Sequence, residues 1–127
     1  MNFLYVGIGG FLGACLRYLA TTAMASLAPQ FPFGTLLANA AAGFMAGLAT
    51  GAGREAGLLP EKARLFIVTG FLGGLSTFST FSLETASMIE SGKFVRAGVN
   101  VALNLAFCLS FVFAGLFAAK CLFQNAR

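Results

Sequence analysis

Long apolar runs alternate along the chain with short polar turns. Four runs cover residues 3–27, 35–52, 63–89 and 94–123. Each is close to or above the length of about 20 apolar residues that a helix needs to cross the hydrocarbon core of a bilayer. The pattern therefore predicts an all-α membrane protein with a single domain of four transmembrane helices over residues 1–127.

The third run differs from the others because it contains a stretch that reads like a loop. Gly70, Gly73 and Gly74 lie within five residues and are followed by hydroxyls, phenylalanines and a carboxylate at Glu84. Unpaired backbone groups are costly in hydrocarbon, so a break in a spanning helix has to be buried against protein. We predict such a break near residues 70–76, serving an ion or a polar solute.

Composition supports the membrane class and argues against several functions. The 127 residues are 58% hydrophobic and only 9% charged, and mean hydropathy is +0.87, whereas soluble domains carry about 25% charged residues. The net charge of +4 is spread around the apolar runs, which indicates contact with lipid head groups and no nucleic acid partner. Without histidine, a nucleophile–base pair or a metal-ligand set, an enzyme is the least favoured class.

The distribution of basic residues bears on orientation. Four spans place both termini and the loop between the second and third spans on one side of the membrane. Five bases then lie on that side and two on the other, which mildly favours cytoplasmic termini and leaves insertion in both orientations open. The two sets are Arg54, Lys62, Arg64, Lys120 and Arg127 against Lys93 and Arg96.

Polar residues inside the spans carry the functional argument, because such residues are costly in a membrane and tend to be functional. A single asparagine would favour the alternative of an interhelical hydrogen bond, worth about 0.6 kcal/mol. Here several share helix faces, which favours a polar permeation track. The faces are Thr35 with Asn39; Asn100 with Asn104 and Cys108; Thr77 with Thr80 and Glu84; and, adjacent to the last, Phe78 with Phe81 and Thr85.

Arg17 is a base within the first span, and three environments are open to it: the membrane interface, backbone carbonyls, or a pairing with Glu84. A structural role for Arg17 is at least as well supported as contact with a solute. The predicted break exposes carbonyls that suit a hard cation such as Na⁺, and two copies would double the ligands. Small-residue faces on the first two spans predict close packing within or between subunits, and an oligomer is expected.

The third run resembles a known signature. Gly70-Phe-Leu-Gly-Gly-Leu-Ser-Thr-Phe-Ser-Thr-Phe-Ser82 is similar to that of the Fluc fluoride channels, also called the CrcB family. The Gly34-Thr35…Asn39 and Gly10-x-x-Gly13-x-x-x-Arg17 patterns agree with the same family, and the resemblance covers the whole chain.

The resemblance implies an antiparallel, dual-topology homodimer in the bacterial inner membrane, with two pores that export fluoride passively and relieve its toxicity. It implies a structural Na⁺ at the dimer centre, held by the backbone carbonyls of Gly73 and Ser76. The fourth span departs from the family, some members of which carry Tyr and Ser where this chain has Asn100, Asn104 and Cys108. The implied pore residues are Phe78, Phe81, Asn39, Thr35, Thr77, Thr80, Ser82, Glu84, Asn100 and Asn104.

Two other membrane functions stay open at this point. A small multidrug-type exporter also has four spans and dual topology, but it needs a titratable carboxylate in its first helix, and the only acid within a span here is Glu84. An accessory membrane subunit without transport of its own would not need the third-run motif.

Overall fold

The computed structural model describes residues 1–124, and nearly all of them are helical; Arg127 of the charge count lies outside the described residues. Four stretches are long and apolar enough to cross a membrane, as predicted, and the described residues contain no strand. The helices are α1 (Asn2–Leu27), α2 (Phe33–Ala56), α3 (residues 61–75), α4 (Phe78–Glu90) and α5 (Phe94–Phe123), with α3 and α4 forming the third span in series.

Helix boundaries follow local chemistry. α2 begins at Phe33 and ends at Ala56, four residues beyond the end predicted from the sequence at residue 52. It is followed by Gly57, whose φ of 63° is the left-handed conformation that closes many helices and favours glycine. A second glycine with positive φ, Gly92, turns the chain between α4 and α5.

The third span begins with an irregular helix. α3 consists of an α-helical turn at Glu61–Arg64, a π-helical stretch at Leu65–Leu72 and a last turn at Gly73–Leu75. Only Ser76 (φ −77°, ψ 151°) and Thr77 (φ −152°, ψ 117°) have extended backbone between α3 and α4. The interruption is therefore two residues long and lies at the end of the stretch 70–76, rather than across it.

The glycines of α3 are helical, and their function is close packing against α1. A Cβ atom on Gly70 would lie 2.7 Å from the carbonyl oxygen of Val6, and one on Gly74 would overlap the carbonyl of Gly10. The same holds from the other side, where a Cβ on Gly13 would overlap the carbonyl of Phe71. In lipid, small residues let helix backbones approach in this way, which explains glycines that resemble a loop in sequence.

α2 packs against α5 by the same device. Cβ atoms added to Gly47 and Gly115 would each overlap a backbone carbonyl of the opposite helix, Val112 and Phe44 respectively. The two close pairs, α1 with α3 and α2 with α5, meet at a small core of Ala38, Ala42, Leu72 and Leu75. This core joins α2 to the last turns of α3, immediately before the interruption.

Replacement of Gly13 by alanine should destabilise the protein because the new methyl group overlaps the Phe71 carbonyl. We expect Gly13→Ala to lower the free energy of unfolding by about 1–3 kcal/mol, measured by denaturant titration in detergent. Gly7→Ala on the same helix is the control, since its Cβ would meet nothing within 4 Å. Equal stability of the two variants would contradict the close α1–α3 packing.

Candidate functional site

The interruption at Ser76 and Thr77 is held by the side chain of Asn39. In a continuous helix the Thr77 N–H would bond the Gly73 carbonyl; here it donates to Asn39 Oδ1 at 2.7 Å. Asn39 Nδ2 in turn donates to the Thr77 carbonyl at 3.2 Å. Asn39 thus supplies the acceptor that the Thr77 N–H lacks at the interruption, and it adds a donor to the carbonyl of Thr77, the N-cap residue of α4.

Hydroxyl groups cap the two helix ends at the interruption. Ser76 Oγ donates to the Leu72 carbonyl at 3.0 Å at the end of α3. Thr77 Oγ1 accepts the N–H of Thr80 at 3.2 Å, as an N-cap residue does at the start of a helix. It also lies 3.1 Å from Thr80 Oγ1 and 3.2 Å from Ser79 Oγ. The predicted hydroxyls Thr77 and Thr80 are therefore brought together.

Three asparagines and a threonine form one hydrogen-bonded series, which we call the asparagine chain (Asn39, Asn104, Asn100 and Thr85). Asn39 Nδ2 donates to Asn104 Oδ1 at 3.2 Å, and Asn104 Nδ2 donates to Asn100 Oδ1 at 3.0 Å and to its carbonyl at 3.1 Å. Asn100 Nδ2 donates to Thr85 Oγ1 at 3.0 Å, and that hydroxyl donates to the Phe81 carbonyl at 2.8 Å. Asn100 and Asn104 are 0% and 4% exposed.

Thr85 is the member of this chain that the predicted site lacked. Its spacing of four residues from Phe81 predicts that it shares a helix face with Phe78 and Phe81. The sequence did not reveal that Asn100 would reach its hydroxyl, because that contact depends on how α4 packs on α5.

Glu84 has a separate partner. Its Oε1 accepts a 2.6 Å hydrogen bond from Thr35 Oγ1, a residue only 1% exposed. Within residues 1–124, Glu84 Oε2 is the one buried side-chain oxygen or nitrogen atom that has no hydrogen-bond partner. Thr35 and Glu84 line a cavity of about 580 Å³ at the end of the helices, together with Lys93 from the α4–α5 turn. These two predicted pore residues therefore bond each other and line a cavity separate from the groove beside Asn39.

Phe78 and Phe81 contact each other with ring centroids 5.4 Å apart and ring planes at 53°. Phe81 is 8% exposed, whereas Phe78 is 76% exposed and lies on the outer surface of the chain. Both line an open groove of about 400 Å³, whose other lining residues include Asn39, Ser76, Thr77 and Asn104. The groove combines phenyl rings with hydroxyl and amide groups.

Ser82 takes a different environment from the other predicted residues. Its hydroxyl is exposed and donates at 2.8 Å to the carbonyl of Phe78 in its own helix. That bond does not connect it to the asparagine chain or to the pair Thr35 and Glu84. The structure brings together the other predicted residues in two clusters and leaves Ser82 beside them.

Arg17 reaches the carbonyl end of α3. Its Nε donates to the Gly74 carbonyl at 3.1 Å. Of the predicted environments, the structure therefore shows the backbone carbonyl, whereas Glu84 bonds Thr35. Gly73 and Ser76, the predicted cation ligands, flank this carbonyl and are exposed on the chain's surface. The last carbonyls of a helix carry partial negative charge, which is the chemistry a hard cation requires.

The described part of the chain has no group of three or more His, Cys, Asp or Glu side chains that could hold a metal ion. Any cation near the interruption would therefore be held by carbonyl and hydroxyl oxygens, which alkali-metal ions accept.

Fold and site together define a small multi-pass helical membrane protein with a buried set of amides and hydroxyls beside an interrupted helix. Residues 4–116 match the family model described as CrcB-like protein, Camphor Resistance (CrcB). The chain belongs to this family.

Its relatives include three proteins named Fluoride-specific ion channel FluC. The one from Bordetella petrii is 47% identical over 122 residues, covering 96% of this chain and 94% of the relative. The one from Clostridium perfringens is 43% identical over 121 residues, 94% of each. The one from Shewanella woodyi is 44% identical over 115 residues, 90% of this chain and 92% of the relative. With bacterial relatives and four spans, this is a multi-pass protein of the bacterial inner membrane.

Asn39→Leu tests whether the amide holds the interruption, because leucine keeps the shape of asparagine and removes both hydrogen bonds to Thr77. We expect destabilisation of about 1–3 kcal/mol, because the Thr77 N–H is left without an acceptor, and faster hydrogen exchange of the Thr77 amide, measured by mass spectrometry in detergent. Ser82→Ala is the control, since that hydroxyl bonds only a carbonyl of its own helix. Unchanged exchange at Thr77 in Asn39→Leu would show that the amide does not hold this backbone.

Proposed function

We propose that this protein is a fluoride-selective channel that lets fluoride leave the cytoplasm passively and so protects the cell from its toxicity. The observation that carries the proposal is membership of the CrcB family, with relatives named fluoride-specific ion channels at 43–47% identity over at least 90% of the chain. A passive channel requires a selective path and no chemical step, which agrees with a site built of amides, hydroxyls and phenyl rings.

The groove offers fluoride the contacts that a channel needs. Fluoride is small and strongly hydrated, so a pore has to replace its water with donors while keeping each site weak enough to release the ion. The Thr77 hydroxyl and the positive edges of Phe78 and Phe81 line the groove and supply such contacts. The Thr80 hydroxyl lies behind, 3.1 Å from that of Thr77. The groove's lining contains no lysine or arginine among the described residues, which favours fast release.

A second, oppositely oriented copy of the chain is the partner that we propose. Phe78 is 76% exposed, and the groove beside it is open and carries polar groups. Polar groups facing lipid are costly, so a protein surface covering the groove is favoured. Apart from Arg17 within the first span, four of the described bases lie on the side of the termini and two on the other, a bias weak enough to allow antiparallel insertion. Each dimer would then contain two pores.

We further propose that the interruption lies at membrane depth and that Na⁺ binds there at the centre of the dimer. The Thr77 N–H turns to Asn39 and no longer serves the Gly73 carbonyl. Gly73 and Ser76 are exposed on one chain, and two copies meeting there would present four carbonyls. When bound, the ion would neutralise the partial negative charge of two helix ends brought together.

Fluoride efflux tests the proposed function. Protein reconstituted in liposomes loaded with KF should release fluoride when valinomycin is added, as recorded with a fluoride electrode, and a matched KCl experiment should show little chloride release. Phe81→Ile should slow fluoride release by about tenfold or more, equivalent to about 1.4 kcal/mol in the barrier, because the phenyl edge is lost.

The control for this substitution is Phe3→Ile, at a ring that is 93% exposed at the start of α1 and far from the groove. Folded wild-type protein without fluoride efflux would overturn the channel function. Wild-type flux in Phe81→Ile would show that the path runs elsewhere.

Removal of sodium tests the cation site. Replacing Na⁺ by N-methylglucamine during purification and assay should abolish most of the fluoride flux, and returning Na⁺ should restore it, because only a small cation fits between carbonyls. Ser76→Ala should keep this sodium dependence, since it retains the backbone carbonyl. Flux that is indifferent to sodium would count against Gly73 and Ser76 as ligands.

A further inference from the structure

The π-helical stretch Leu65–Leu72 holds one residue more than an α-helix would place in the same turn. A Cβ atom added to Gly9 of α1 would overlap the carbonyl oxygen of Phe66 and lie 2.9 Å from the nitrogen of Phe71. These two groups are five residues apart, which is the hydrogen-bond spacing of a π turn, whereas an α turn joins groups four residues apart. The turn that packs against Gly9 is therefore a π turn with one extra residue.

α1 packs equally closely against the regular turn that follows. A Cβ atom on Gly13 would overlap the carbonyl oxygen of Phe71 and lie 2.9 Å from the nitrogen of Leu75, four residues further along. If one residue were removed between Phe66 and Phe71, the same carbonyl and N–H groups could pair in an α turn and face Gly9 as before. Packing against α1 does not require the extra residue, so its role has to be sought on the outer side of the helix.

Thr69 is the residue of the π turn whose side chain points away from the rest of the chain. Ile67 packs against the core, Val68 lines the groove and Gly70 is buried against α1. Thr69 is exposed, and its hydroxyl has no hydrogen-bond partner within residues 1–124. Hydroxyls in a helix commonly donate to the carbonyl four residues back, as Thr85 does. The Thr69 hydroxyl therefore remains a free donor on the surface of the chain.

The surroundings of Thr69 make a free hydroxyl unfavourable. All other side chains from Leu65 to Leu72 are apolar, and the stretch belongs to a helix long and apolar enough to span a membrane. Lipid hydrocarbon offers no acceptor, so a hydroxyl that faces it stays unpaired at a cost. Threonine side chains in spanning helices instead bond across to a neighbouring helix. A protein surface is thus the favoured neighbour of Thr69.

Thr69 shares its helix face with the part of the chain that is proposed above to meet a second copy. Gly73 and Ser76 follow Thr69 by four and seven residues, and all three are exposed. In an antiparallel pair that meets at Gly73 and Ser76, residues before that point on one chain lie beside residues after it on the other. Thr69 would therefore lie beside the first turns of α4 in the second copy.

We propose that Thr69 is a subunit contact: the π turn displays its hydroxyl, which donates a hydrogen bond to the second copy, once on each side of the two-fold axis. The inference rests on the antiparallel channel proposed above and assigns to Thr69 a role in its assembly. It also explains why the third span departs from a regular helix at a turn whose packing against α1 does not demand it.

Removal of the hydroxyl tests the contact. Thr69→Val keeps the shape of the side chain, and we expect it to weaken dimerisation in lipid by about eightfold, because two average interhelical hydrogen bonds are lost, one from each subunit. Thr69→Ser keeps the hydroxyl and should dimerise within about twofold of wild type. Thr50→Val, at an exposed position of α2, is the control and should leave dimerisation unchanged. Single-molecule photobleaching at increasing dilution in lipid measures the dimer fraction.

Deletion of Thr69 tests the role of the extra residue. The variant should keep its fold, because the turn closes as an α turn, and should dimerise as weakly as Thr69→Val. Deletion of Ser110, an exposed residue within the regular helix α5, is the control. It turns Gly115 away from α2 by about 100°, so this variant should lose thermal stability, as followed by circular dichroism.

The outcomes decide between the possibilities. Wild-type dimerisation in Thr69→Val, or equal weakening in Thr69→Ser and Thr69→Val, would overturn the subunit contact and assign this face to lipid. Unfolding of the deletion variant would show that the extra residue serves the fold of the single chain. Dimerisation is measured without ion flux, so a wild-type dimer that releases no fluoride would overturn the channel function and leave the contact standing.

Discussion

The pairing of one side-chain amide with both backbone groups of Thr77 is the interaction on which the rest of the site depends. A spanning helix can be interrupted only if the freed N–H and carbonyl groups find partners within the protein. Asn39 supplies an acceptor and a donor from one rigid planar group at 2.7 and 3.2 Å. Without it, the Thr77 N–H would have no acceptor immediately before the helix that carries Phe78 and Phe81.

Close helix packing is what brings Asn39 within reach. The core of Ala38, Ala42, Leu72 and Leu75 holds α2 against the end of α3, and Ala38 is adjacent to Asn39 in sequence. Glycines on α1 and α3 bring those backbones together on the other side, which places Arg17 beside the Gly74 carbonyl. Small residues therefore act on the site indirectly, by setting the distances over which short polar side chains can bond.

The sequence predicted the four spans well because hydropathy and length alone define a membrane helix. It also placed the polar residues on shared faces, since the spacing of four residues is intrinsic to a helix. The interruption lies at Ser76 and Thr77 and not across residues 70–76 as predicted. Glycine occurs both in loops and where two helices are in close contact, and only the contacts of α3 with α1 show that these glycines belong to the second case. The partners of Arg17 and Thr85 depend on packing between distant segments, about which spacing along one helix carries no information.

The interruption has a consequence for charge that follows from helix geometry. Where α3 ends, its last carbonyls present partial negative charge; where α4 begins two residues later, its first N–H groups present partial positive charge. Arg17 already occupies the carbonyl of Gly74, which shows that the first end accepts a cation. At the second end, the Thr77 hydroxyl caps the helix and Phe78 begins it. Two extended residues thus place a cation-favouring end and an anion-favouring end side by side, so a sodium site and a fluoride path would derive from a single feature of the backbone.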